Sequence, residues 1–132
     1  MSDFLIEYKG DLSTEIIHTE SSSKISTDAP KDNNGLGRKF SPTDLVASSL
    51  GSCLLTIMGI VAKRHKIDMD GSHARIRKTM SESPRMISKI DVDIFMKSNL
   101  SEKDINLLKN VSKHCPVHNS LSNSINIIIN FK

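Results

Sequence analysis

The spacing of hydrophobic and polar positions changes several times along the chain. Phe4-Leu5-Ile6-Glu7-Tyr8, the turn signal Lys9-Gly10-Asp11 and the stretch Leu12 to His18, with Thr14, Ile16 and Ile17, predict a β-hairpin. Lys24-Ile25-Ser26-Thr27 adds a third short strand, so strands are expected over 3–28. The density of Pro, Gly, Asn and Asp from Asp28 to Gly37 predicts a loop over 28–40. At Ser41-Pro42-Thr43-Asp44 several helix-start signals coincide: Ser at the N-cap, Pro at the first helical position, and an acid three residues after the Ser. Leu45, Val46, Leu50, Leu54, Ile57, Met58, Ile60 and Val61 then cover more than one face of a helix over 42–64, which predicts burial on nearly every side. The small residues Ala47, Ser48, Ser49, Gly51 and Ser52 leave room for another element to pass close to its first half. Lys63-Arg64-His65-Lys66 ends it with charge suited to a helix C-terminus.

The second half predicts strands over 72–80 and 86–97, with Val92, Ile94 and Met96 sharing one side of the latter. Ser101-Glu102-Lys103-Asp104 repeats the Ser-x-x-Asp start, and Ile105, Leu107, Leu108 and Val111 supply the apolar stripe of a helix over 102–113. A short helix over 116–122 and a closing strand over 123–131, rich in Ile, complete the series. Strands, a buried helix, strands, helices and a strand argue for an α+β fold with an antiparallel sheet, in one domain of 132 residues.

Composition removes several function classes. The net charge of +3 arises from 18 basic and 15 acidic residues scattered along the chain, and only 4% of residues are aromatic, so neither a phosphate track nor a base-stacking platform is expected. Nucleic acid is not an expected partner. The first residues carry acids and lack the basic and apolar segments of a secretion signal, and the run Leu54 to Ala62 is too short to span a bilayer. The expectation is therefore a cytoplasmic protein with no membrane partner, in a compartment where two cysteines are free, redox-active or ligands rather than a permanent disulfide.

Read locally, Cys53 is a small residue within a core helix, whereas Cys115 caps a helix that begins with Pro116. Unpaired N–H groups at a helix start favour thiolate, so local physics picks Cys115 as the more acidic thiol. His114, Cys115 and His118 fall short of the four ligands of a structural zinc site, and no metal is expected. Gly35-Leu36-Gly37 lacks the rest of a phosphate-binding pattern and reads as a turn; Arg75 and Arg77 read as a solvated strand face.

The segment Ser41-Pro42-Thr43-Asp44-Leu45 through Gly51-Ser52-Cys53, followed 62 residues later by Cys115-Pro116-Val117-His118, closely resembles the OsmC/Ohr family of thiol-dependent peroxide-resistance proteins. Thr27-Asp28-Ala29-Pro30 and Gly35-Leu36-Gly37 are similar to its OsmC-like branch. The resemblance implies antiparallel sheets around a long buried central helix, in an intertwined homodimer whose two cysteines meet in a pocket at the subunit interface. It implies that Cys53 is the peroxidatic thiol and Cys115 the resolving thiol, that the two pass through a sulfenic acid and a disulfide, and that an external dithiol of lipoyl type resets them without any bound cofactor. The family's thiolate is held by an arginine ahead of the helix and a glutamate near the helix start. Arg38 is the only arginine upstream of Cys53, and Asp44 stands at or next to the glutamate position, where capping the helix is its alternative role. Leu50, Leu54, Ile57 and Ser49 are the expected pocket residues, and an organic hydroperoxide is the expected substrate, with hydrogen peroxide as a second. The alternative reading is an accessory protein that binds a small ligand on the same scaffold without turnover.

Overall fold

The computed structural model describes residues 2–132. The chain divides into two compact units, Met1–Val46 and Ala47–Lys132.

In the first unit, β1 (Phe4–Gly10), β2 (Ser13–His18) and β3 (Lys24–Asp28) form an antiparallel sheet in that order. The β1–β2 turn takes left-handed backbone at Gly10, Asp11 and Leu12, with φ of 88°, 51° and 62°. A glycine opens the turn because it alone enters that region without a Cβ penalty. Phe4, Leu5, Ile6 and Tyr8 of β1 are exposed. After β3 the chain folds back on itself: the Asp28 N–H donates to the Phe40 carbonyl and the Gly37 N–H to the Ala29 carbonyl. A Cβ on Gly35 would overlap that same carbonyl, so the loop closes only with glycine there.

Helix α1 (Pro42–Arg64) begins as its capping pattern predicts. The Asp44 N–H donates to Ser41 Oγ at 3.1 Å and the Ser41 N–H donates to Asp44 Oδ2 at 2.9 Å, so the box closes in both directions. By length and composition α1 could cross a membrane, with a mean hydropathy of 2.0, contrary to the expectation drawn from Leu54 to Ala62 alone. The small residues of its first half extend the weakly polar run.

In the second unit the apolar stripe of α1 is a core stripe. Leu50, Leu54, Met58 and Ala62, four apart, are buried and form one cluster with Ile87, Ile90, Val92 and Ile94 of β5 (Met86–Phe95), together with Leu108 and Cys115. The expectation of burial on nearly all sides is corrected: Ile60 is 50% exposed and Ser49, Ser52 and Thr56 are exposed. A single stripe suffices because one sheet covers one face. Gly51 is where β4 (His73–Ser81) comes closest, since a Cβ there would lie 2.6 Å from Ile76 Cδ1. Gly51→Val should cost about 1–3 kcal/mol by overpacking, measured by urea unfolding, whereas Gly59, with open space around it, should accept alanine without such a loss.

Strands β4 and β5 pair antiparallel, and β6 (Asn126–Phe131) pairs parallel to β5. The antiparallel sheet expected from element order is therefore mixed. The reason is the connection between β5 and β6, which carries α2 (Glu102–Val111), a 3-10 turn (Ser112–His114) and α3 (Pro116–Ser120) and so returns the chain to its starting end. The strand expected from residue 123 begins at Asn126, and the helix expected to reach 113 passes into the 3-10 turn at Ser112.

Candidate functional site

The two cysteines of the second unit are brought together within a single chain. Cys53, about halfway along α1, is partly exposed, and Cys115, at the N-cap of α3, is fully buried in the core cluster. Both thiols are free, and Cys53 packs against the core cluster that holds Cys115. The sulfurs need no second chain to meet.

Ionisation of Cys115 runs against the expectation drawn from helix-end electrostatics. Its Sγ accepts a hydrogen bond from the His118 N–H at 3.4 Å, and the Val117 N–H also favours the charged form. Burial acts in the opposite direction and is the largest influence, and the neighbouring Cys53 adds to it, so the Cys115 pKa is raised above the ordinary thiol value. With five residues, α3 aligns too few peptide dipoles to offset the loss of water. Cys115 is thus held as a neutral thiol. Because the fold retains a proton that the unfolded chain releases, this contribution to stability is present below the ordinary thiol pKa and lost as pH rises through the raised one.

Around Cys53 on α1, Ser49 and Ile57 lie one turn to either side, with Ser49 exposed and Ile57 half-buried. Leu50 and Leu54, expected as pocket walls, are fully buried and belong to the core beneath the helix. They point into the sheet because they share the stripe with Met58 and Ala62.

Arg38, in the first unit, is fixed by a carboxylate that the sequence reading did not select. Its Nε and a terminal nitrogen donate to Asp28 Oδ2 and Oδ1 at 2.8 and 3.1 Å, and its backbone N–H donates to Oδ2 at 3.1 Å. Asp28 is 1% exposed while the Arg38 side chain is half exposed, so a buried acid holds one face of a guanidinium whose other part remains accessible. The Arg38 side chain, followed by its backbone N–H, keeps the Asp28 carboxyl below the usual aspartate range. Asp44, the acid first considered for this task, has its Oδ2 on the Ser41 N–H. The signal for Asp28 lay in the loop itself: Gly35 and Gly37 let the chain double back by ten residues, bringing position 38 beside position 28. Among the described residues, no three His, Cys, Asp or Glu side chains cluster as metal ligands.

Residues 34–130 match the family described as OsmC-like protein, and the chain belongs to that family. A crystal structure from Psychrobacter arcticus, of a protein named for osmotic stress induction and detoxification response, is 40% identical with a TM-score of 0.93, covering 100% of this chain and 96% of that one. The organic hydroperoxide resistance protein OsmC of Legionella pneumophila superposes with a TM-score of 0.78 at 14% identity, over 100% of this chain and 96% of that one. OhrB of Bacillus subtilis, also an organic hydroperoxide resistance protein, does so with 0.70 at 16%, over 100% and 98%. At these lower identities the likeness is one of fold. No curated protein matches the sequence.

Proposed function

We propose that the protein reduces organic hydroperoxides through a two-cysteine cycle. The observation that carries this reading is the pairing, inside one chain, of a partly exposed thiol with a buried neutral one. The Cys53 thiolate attacks the terminal peroxide oxygen, the O–O bond breaks, and the alkoxide takes a proton to leave as alcohol. Sulfur is oxidised to Cys53 sulfenic acid. The Cys115 sulfur then attacks that sulfenic sulfur, its proton and the sulfenic hydroxyl depart as water, and a disulfide remains. An external dithiol, of the lipoyl type implied by the family resemblance, is oxidised as it restores both thiols. No bound cofactor or metal enters this cycle. A reducing, cytoplasmic setting suits the free thiols.

The family resemblance assigns the thiolate's cation to Arg38, and Asp28, which pairs with its guanidinium, is the proposed positioning residue. Arg38→Ala should lower turnover about 10–100-fold, and Asp28→Asn should act in the same direction with a smaller loss, both read as kcat/KM with cumene hydroperoxide. Arg38→Lys should not restore full rate, because a point charge does not reproduce the two-pronged pairing. The Asp28 pair strengthens the fold above the ordinary aspartate pKa and is lost as pH falls through the lowered value.

The homodimer belongs to the proposal as well. Phe4, Leu5, Ile6 and Tyr8 on β1, and Ile60 on α1, are large apolar side chains left exposed in a single chain. Sedimentation should give twice the chain mass. If purified protein with a dithiol consumes neither cumene hydroperoxide nor a fatty-acid hydroperoxide, the accessory ligand-binding reading replaces this one.

A further inference from the structure

A cavity in the Ala47–Lys132 unit, of about 470 Å³, opens between the C-terminal end of α2, the 3-10 turn, α3 and β6. Its polar side is Lys109, Asn110, Lys113 and His118, and its apolar side is Ile129 and Phe131. No carboxylate lines it. Lys109 Nζ sits 5.3 Å from the centre of the Phe131 ring, which places an ammonium at the edge of the apolar surface. Lys113, in the 3-10 turn that follows α2, brings a second ammonium to the same cavity. Among the described residues neither ammonium is paired with a carboxylate. The volume lies in the range of small-molecule sites, and a few convergent polar groups over an apolar surface are their usual make-up.

We propose that this cavity binds a small amphiphilic anion, with a carboxylate or phosphate head on Lys109, Lys113 and His118 and an apolar body against Ile129 and Phe131. The site is distinct from the thiol pair, although the two adjoin through His118, which lines the cavity and whose backbone N–H donates to Cys115 Sγ.

Titration calorimetry on the reduced full chain tests it with four probes: decanoate, decyl phosphate, decanol and inorganic phosphate. Decanoate, decyl phosphate or both should bind once per chain, and the tighter of the two names the head group. Decanol and inorganic phosphate should each bind at least tenfold more weakly than that probe. Lys109→Gln/Lys113→Gln should weaken the preferred probe at least tenfold, while Lys103→Gln, on the exposed part of α2, should not. Amide signals of Lys113, His118 and Ile129 should move on addition of the probe to wild type, a readout that needs no variant. Cys53→Ser should bind it as wild type does, which separates this site from the peroxide reading. The proposal is overturned if neither anion binds, if decanol or inorganic phosphate binds equally well, or if the shifts fall elsewhere.

Discussion

Cys53→Ser should abolish hydroperoxide consumption, lowering turnover by at least a thousandfold, because a serine hydroxyl at neutral pH supplies no comparable nucleophile. Cys115→Ser should behave differently. It leaves the first chemical step intact and removes the thiol that closes the disulfide, so one equivalent of peroxide should convert Cys53 to a sulfenic acid that persists long enough to be trapped by dimedone. The asymmetry follows from the environments of the two sulfurs: Cys53 is reached by solvent, and Cys115 is sealed in the core and kept protonated by burial and by its neighbour. A reversed pattern, with dimedone on Cys115 in the Cys53→Ser variant and full consumption of peroxide, would exchange the two roles.

Leu54→Ala should destabilise the protein by about 2–5 kcal/mol, a large part of the 5–15 kcal/mol that holds a typical domain together. Leu54 is fully buried in the stripe that joins α1 to Ile90, Val92 and Ile94, and shortening it leaves a cavity that a sheet and a helix held at many points cannot close. Urea unfolding at fixed protein concentration measures the loss as a shift in midpoint. Ile60→Ala gives the contrast: half exposed in one chain, it should cost little in a monomer, and more, in a concentration-dependent way, if a second chain covers it.

The start of α1 was readable because capping is local: Ser41 and Asp44 lie three residues apart and need nothing beyond themselves. The core stripe was readable in part. Leu50, Leu54 and Met58 stand out as apolar, but the sequence does not say which side of the helix meets the sheet, so Leu50 and Leu54 were assigned to a pocket that they do not line. The direction of β6 was not legible, since it depends on how the helices between it and β5 turn the chain. The hold on Arg38 was missed for a related reason: Asp28 reaches it only through a loop that Gly35 and Gly37 allow to fold back. The acidity of Cys115 was misjudged because the N-cap is visible in Cys115-Pro116, whereas burial of its sulfur depends on residues far along the chain.

Intact-mass and peptide analysis of the reduced protein after one equivalent of cumene hydroperoxide tests the central claim most directly. The account predicts that each chain loses two hydrogens, that Cys53 and Cys115 are recovered in one linked peptide, and that the link lies within a chain, so that the protein still runs as a monomer under non-reducing denaturing conditions. Both thiols remaining free with the peroxide unconsumed, or a link that joins two chains, would contradict it.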